Sequence, residues 1–262
     1  MTPSGIEQRR PALFDAHLHV IDPRFPLVAN HCYTPEPFTV ADYCAATTGL
    51  GVVGGAVVSG SSQAMDQTYL LDALARLGPA FVGVAQLPAT VADQELSALD
   101  AAGVRAVRFN ARRGGSENLA HLEVLARRVH EVVGWHVELY IDAADLPDLA
   151  PTLKALPQIS IDHLGLSRAG LPHLLDLIEA GAKVKATGFS RTDLDVSTTL
   201  RAIAAVNPAA LMVGTDLPST RAPRPFTPAD LGVVLDALEP SHAIAALSTN
   251  AAALYQPRAT SR

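Results

Sequence analysis

Short apolar runs alternate with helix-like stretches along nearly the whole chain, and this alternation restricts the fold more than any other feature. Eight runs read as strands: Phe14–Val20, Val52–Ser59, Phe81–Leu87, Val104–Asn110, His136–Asp142, Ile159–His163, Lys183–Thr187 and Leu211–Thr215. Between them lie segments with helical periodicity and end signals. Thr39 ahead of Val40-Ala41-Asp42 reads as a capped start, with Gly49 as the following stop. Gln63–Leu77 ends at Gly78-Pro79, Glu117–Val133 at Gly134, Ser167–Ala180 at Gly181, and Thr192–Val206 at Asn207-Pro208.

Strands that alternate with helices predict a parallel sheet, because each crossover needs a helix to return the chain. Eight such units in 262 residues, without a large insertion, favour closure into a barrel. An open doubly wound sheet would be supported by a Gly-rich phosphate turn after the first strand, but Val20 leads into Ile21-Asp22-Pro23-Arg24. The expected fold is therefore α/β: a single (β/α)8 TIM barrel, with some distortion allowed, over residues 1–262, of which 1–12 are expected to be flexible. A C-terminal helix near His242–Tyr255 is expected to pack across the barrel exterior, with Asn250 as a cap or polar tie. Residues 21–38 form a long Pro-rich connection after the first strand, which reads as a lid over the strand ends where barrel active sites lie.

The composition narrows the function classes. A formal charge of −6 without a Lys/Arg block argues against nucleic acid as a partner. Cys32 and Cys44 are too few for a disulfide framework and read as free thiols. The N-terminus is polar and no apolar window is long enough to span a bilayer, so the expectation is a cytoplasmic protein with no membrane partner. A homo-oligomer remains open.

Three motifs carry chemistry. Phe14-Asp15-Ala16-His17-Leu18-His19-Val20 lies on the first strand. Strict alternation would put Asp15, His17 and His19 on one face, with Ala16 and Leu18 on the other. Burying three unpaired ionisable groups there would cost several kcal/mol (~2–7 each for polar groups), so the row points to function. His163 ends the sixth strand before Gly165, and alternation turns its neighbour Asp162 the opposite way. Asp216 follows Gly214-Thr215 at the end of the eighth strand, which adjoins the first in a closed barrel. A carboxylate beside imidazoles can activate a water. Arginines form a second set: Arg105 and Arg108 on the fourth strand, Arg112 and Arg113 beyond it, and Arg191 after the seventh. With Tyr140 and Ser61 they suit an anionic substrate, since a guanidinium fork binds a carboxylate bidentately. The remaining histidines read as surface residues, apart from His31 in the lid beside Tyr33.

Asp15-Ala16-His17-Leu18-His19, Asp162-His163-Leu164-Gly165 and Gly214-Thr215-Asp216-Leu217-Pro218 resemble the amidohydrolase superfamily. More narrowly they resemble its branch of 2-pyrone-4,6-dicarboxylate lactonases. Val107–Asn110, Glu138–Asp142 and Val184–Arg191 extend the likeness in consistent order along the chain. The resemblance implies a hydrolase of aromatic-compound catabolism that opens a carboxylated lactone, pyrone dicarboxylate or muconolactone-like, with an activated water. In that branch Asp216 would be the base, with His17, His19 and His163 polarising the carbonyl and Asp15 orienting a histidine. Arg108, Arg113, Tyr140, Arg191 and Ser61 would bind the substrate. Arg108 and Glu138-Leu139-Tyr140 stand where a two-metal member has its bridging residue and a histidine, which speaks against a binuclear site. The cofactor expected is none or one Zn2+ on His17, His19, His163 and Asp216. The chain departs from the pattern around Ala111–Gly115 and in Leu217-Pro218-Ser219-Thr220-Arg221, where an aromatic is missing. Two alternatives stay open: a mononuclear zinc decarboxylase of an aromatic or enoic acid, and a non-catalytic barrel that binds a small acid.

Overall fold

A computed structural model describes residues 11–257. Its eight parallel strands follow chain order around one sheet: β1 (Leu13–Leu18), β2 (Val52–Val58), β3 (Phe81–Ala85), β4 (Val104–Phe109), β5 (His136–Leu139), β6 (Ile159–Ile161), β7 (Lys183–Ala186) and β8 (Leu211–Val213). The helices are α1 (Val40–Ala46), α2 (Thr68–Leu77), α3 (Asp93–Ala102), α4 (Leu122–Val133), α5 (Ala150–Ala155), α6 (Leu171–Glu179), α7 (Val196–Val206), α8 (Pro228–Ala237), α9 (Pro240–Ile244) and α10 (Asn250–Tyr255). This is a (β/α)8 barrel with a C-terminal helical extension. Of the expected flexible stretch 1–12, residues 1–10 lie outside the described residues, and Pro11-Ala12 lead into β1. Among the described residues no helix is long and apolar enough to cross a membrane.

Local chemistry sets the helix starts. The Thr39 hydroxyl accepts from Asp42 N–H (3.4 Å), and the Asp42 carboxylate accepts from Thr39 N–H (2.8 Å), so α1 begins with a reciprocal cap. The Asp195 carboxylate accepts from Thr198 N–H (2.8 Å) and starts α7 there, four residues past Thr192. At the far ends, Gly103 and Gly134 take left-handed conformations (φ 109° and 74°) that stop α3 and α4.

The barrel closes between β1 and the segment just after β8. Asp216 N–H donates to the His17 carbonyl (2.7 Å) and His19 N–H to that of Leu217 (2.8 Å). Gly214 permits this approach, because a Cβ there would sit 2.5 Å from the His17 nitrogen. Asp15 stitches the same seam. Its carboxylate accepts from Thr215 N–H (2.8 Å), the Thr215 hydroxyl (2.7 Å) and the Tyr43 hydroxyl (3.0 Å).

Strict alternation fails in β1. Its register with β2 slips between Asp15 and Leu18, and the bulge inserts one residue. Phe14 and Ala16 face the barrel interior beside Ala56, Val82 and Met212, while Leu13 and Leu18 join Tyr43 in the core between barrel and helices. Asp15 therefore faces Tyr43 on the outer side, and His17 and His19 enter the barrel without it.

The C-terminal extension also departs from expectation: it closes the N-terminal mouth of the barrel instead of crossing its exterior. Tyr255 stacks on Phe14 (5.8 Å between ring centres) and lies fully buried in the interior cluster with Ala251. Asn250 ties this helix to the start of β8 by donating to the Pro208 and Leu211 carbonyls (3.0 and 2.8 Å).

Burial raises the Asp15 carboxyl to about 6, although the bonds from Thr215, Tyr43 and His17 N–H pull it downward. A raised carboxyl binds more protons folded than unfolded between about pH 4 and 6. Its contribution to stability is therefore full below that window and lost as pH rises through it. Asp15→Asn removes the titration, so the stability of wild type relative to the variant should fall by up to ~3 kcal/mol from pH 4 to 7. Urea unfolding at both pH values checks this, and parallel profiles would contradict it.

Candidate active site

The C-terminal ends of the strands surround a cavity of about 550 Å³ that is open to solvent. His19, His163 and Asp216 line its floor, and Arg108, Arg113 and Arg191 stand around its wall. His17 lies fully buried just beneath, its ring centre 4.9 Å from those of both His19 and His163.

Three polar atoms without hydrogen-bond partners converge there. His19 Nδ1 lies 2.7 Å from the Val58 carbonyl, which can only accept, so Nδ1 carries the proton and Nε2 presents a lone pair. His19 Nε2 is 3.7 Å from Asp216 Oδ1, and His17 Nε2 is 3.9 Å from the same oxygen. Neither His17 Nε2 nor Asp216 Oδ1 has a hydrogen-bond partner, although both are buried. Unpaired buried polar atoms are costly, so this point calls for a water or a cation. A water can both donate and accept, and so can bridge them. One Zn2+ also fits by ligand type, since two imidazole nitrogens and a carboxylate oxygen within 4.8 Å of one another form a three-ligand face.

The protonation states follow from burial and charge. Burial lowers His17 to about 4, against the pull of Asp162, so its ring is neutral. Burial likewise holds His163 neutral, well below its ordinary value. Burial opposes the charge on Asp216, but His163 and Arg191 outweigh it and keep the carboxyl far below the usual range. Since His163 is neutral, the permanent charge is that of Arg191, whose Nε donates to Asp216 Oδ2 (2.7 Å).

Asp162 enters the barrel beside His163, contrary to simple alternation. His163 and Leu164 adopt left-handed backbone (φ 52° and 54°), so the chain turns immediately after Asp162 and the pleat no longer separates the two side chains. Asp162 Oδ1 lies 3.4 Å from His17 Nδ1. Its other oxygen accepts from Arg108 Nε and a terminal nitrogen (3.2 and 2.7 Å), and Arg108 also donates to the Ser59 carbonyl (2.8 Å). Arg108 thus lines the cavity with most of its fork already committed. Arg108→Met should cost about 3 kcal/mol of stability, because it leaves Asp162 buried beside a neutral His17, with Lys185 as the remaining cation 3.6 Å away. Urea unfolding at pH 7 checks this, and a loss under about 1 kcal/mol would contradict it.

The remaining expected residues divide. Tyr140 packs its ring against His163 (4.9 Å), and Ser61 lines the cavity where β2 leads into a short turn. Asp15 belongs to the seam: Thr215, Tyr43 and the His17 backbone take up its carboxylate, so it orients no imidazole. Arg105 bonds Asp100 on the outer face (2.9 Å), and Arg112 is exposed.

Pattern reading missed a buried charged layer beneath the floor. Lys185 Nζ lies 2.5 Å from Glu138, 3.4 Å from His17 Nδ1 and 3.6 Å from Asp162 Oδ1. Glu138 also accepts from the Tyr255 hydroxyl and faces His136 Nε2 (3.2 Å). Thr187 holds His163 through Nδ1 (2.7 Å). The signal was present: a lysine and a glutamate, each mid-strand between apolar residues, must point inward and pair.

Comparison with known proteins gives the family and the relatives of the chain. Residues 14–256 match the amidohydrolase family model. A 2-pyrone-4,6-dicarboxylate hydrolase of Comamonas testosteroni is 36% identical over 169 residues, 62% of this chain and 55% of that protein. A 4-sulfomuconolactone hydrolase of Rhizobium radiobacter is 28% identical over 158 residues, 58% of this chain and 52% of the relative. The chain thus spans about half the length of these two curated relatives. Among solved structures, an Agrobacterium tumefaciens protein in its apo form superposes with a TM-score of 0.85 at 25% identity, covering 97% of this chain and 99% of the other. A candidate 2-pyrone-4,6-dicarboxylic acid hydrolase of Pseudomonas putida gives 0.79 at 26% identity, covering 94% and 98%.

Proposed function

The chain belongs to the amidohydrolase family, and from that premise we propose that it hydrolyses a carboxylated lactone. The observation that carries this reading is the set of unpartnered polar atoms, His17 Nε2, His19 Nε2 and Asp216 Oδ1, under a cavity walled by arginines. A small apolar ligand would need neither. The relatives that bear 2-pyrone-4,6-dicarboxylate and 4-sulfomuconolactone in their names support a lactone that carries anionic groups.

A water among these atoms gives its proton to Asp216 Oδ1 as its oxygen attacks the lactone carbonyl. The Thr187 hydroxyl can donate to His163 Nδ1, which leaves Nε2–H to meet the carbonyl oxygen as it becomes an oxyanion. Asp216 then returns the proton to the ring oxygen as the acyl C–O bond breaks, and a ring-opened acid leaves. Arg191 and Tyr140 hold a substrate carboxylate at the wall. That carboxylate competes with Asp216 for the Arg191 fork, so binding itself makes Asp216 more basic. A zinc ion held by His17, His19 and Asp216 would polarise the carbonyl and acidify the water. Exposed free Cys32 and Cys44 suit a reducing compartment, and we place the reaction in the cytoplasm.

The test is hydrolysis of a panel of lactones, among them 2-pyrone-4,6-dicarboxylate and muconolactone, by chelator-treated and zinc-restored enzyme. Ring opening of at least one carboxylated lactone is expected, and it should exceed that of any uncharged lactone. Inertness towards every lactone in both forms, with carbon dioxide released from an aromatic acid, would replace this reading with the zinc decarboxylase.

A further inference from the structure

The positive charges of the cavity are only half paired. Arg108 is neutralised by Asp162 (2.7 Å) and Arg191 by Asp216 (2.7 Å). Arg113 and Arg221 line the same cavity, and among the described residues neither has a carboxylate within ion-pair distance. Arg221 is nevertheless held firmly. Its guanidinium donates to Asn30 Oδ1 (2.9 Å) and to the Asn30 carbonyl, and it lies over the Tyr33 ring (4.2 Å to the centre). Asn30 also donates to the Arg113 carbonyl (3.0 Å), so one lid residue ties both arginine segments together.

Asn30 and the Tyr33 ring position the charge without cancelling it. The lid tip that carries them is a tight hairpin: Asn30 and Tyr33 exchange backbone bonds (2.9 and 3.1 Å) across His31 and Cys32, both left-handed (φ 51° and 60°). On its other side, the Arg221 segment is fastened where the Thr220 carbonyl accepts from Arg191 (2.9 Å). Burial, and then the charge of Arg113, pull Arg221 below its ordinary value, so the two cations repel across this corner. Two of the five guanidinium donors of Arg221 are engaged by Asn30, and the rest are available to an anion. Tyr33 covers one face of that guanidinium and leaves its edge for charge-assisted bonds.

We propose that Arg113 and Arg221 form a second oxyanion subsite at the cavity mouth, which makes the enzyme selective for substrates bearing two anionic groups. One group is held by Arg191 and Tyr140; the other, a carboxylate or a sulfonate, bridges Arg113 and Arg221. Through Asn30, its arrival is felt by the lid. The inference rests on the carboxylated-lactone reading, and it adds Arg221 as the residue that counts the charges.

Unreactive acids test it without any turnover. Calorimetry should show wild type binding isophthalate at least about tenfold more tightly than benzoate. In Arg221→Gln that preference should fall by about tenfold, mostly through weaker isophthalate binding, and Arg221→Lys should recover part of it. Measured alongside, 3-sulfobenzoate tells which oxyanion the corner favours, and tighter binding of either difunctional acid supports the subsite. A preference that is unchanged in Arg221→Gln overturns the subsite and leaves the lactone reading standing. Failure of wild type to bind any of the three acids overturns both.

Discussion

Asp216→Asn is expected to reduce turnover of a carboxylated lactone by about a thousandfold or more while changing the affinity for isophthalate only a few fold. The asymmetry comes from where the two oxygens point. Oδ2 is held by Arg191 (2.7 Å), and Oδ1 is buried, unpartnered and within 4 Å of two imidazole nitrogens. An amide fills the same volume but cannot take a proton from water at neutral pH. Steady-state kinetics beside calorimetry separates the two effects. Equal losses in turnover and affinity would make Asp216 a binding residue, and an unchanged rate would remove it from the chemistry.

Arg191→Met should lower kcat/KM for carboxylated lactones by about a thousandfold, through kcat as well as KM. A residue that only clamps a carboxylate would act on KM alone, and the sequence supports no more than that. The structure adds a second role, since Arg191 supplies the permanent charge that holds Asp216 ionised inside the barrel. The sign of the pH effect follows. In wild type the carboxyl lies far below the usual range, so the acid limb of kcat/KM should lie below it as well. Without Arg191, burial acts largely unopposed and the limb should move to higher pH. A pH–rate profile of the variant measures the shift; an acid limb that stays in place would leave Arg191 as a clamp only.

The barrel was legible because its signal is repeated: eight strand starts fall within a residue of where the apolar pattern places them. The strand ends were less legible. The pattern carries β5 to Asp142 and β6 to His163, yet they end at Leu139 and Ile161. Beyond those points the residues still look strand-like, but the chain bends to aim side chains into the cavity. Helix starts read several residues early, because periodicity continues into segments that caps such as Asp195 exclude. The helices α3, α5 and α8 escaped notice, their short apolar stripes lying among polar or Pro-containing turns.

The candidate site was legible in part for a related reason. His17, His19, His163 and Asp216 stand at strand ends, where residue type and position together suggest chemistry. Alternation then misled twice, at the bulge that turns Asp15 outward and at the left-handed turn that keeps Asp162 inside. Both are single-residue shifts of phase, and composition does not record them. Lys185 and Glu138 were readable as buried charges, but their pairing spans strands five and seven and needs the closed barrel. Arg221 had no signal at all: its role depends on Asn30, 191 residues away.

The most direct measurement of the central claim is turnover of 2-pyrone-4,6-dicarboxylate in 18O-labelled water, followed by mass spectrometry of the product. Attack by a water activated at Asp216 predicts a ring-opened acid labelled in the newly formed carboxyl group, and no carbon dioxide. An unlabelled rearranged lactone, or loss of a carboxyl group as carbon dioxide, would contradict hydrolysis at this site.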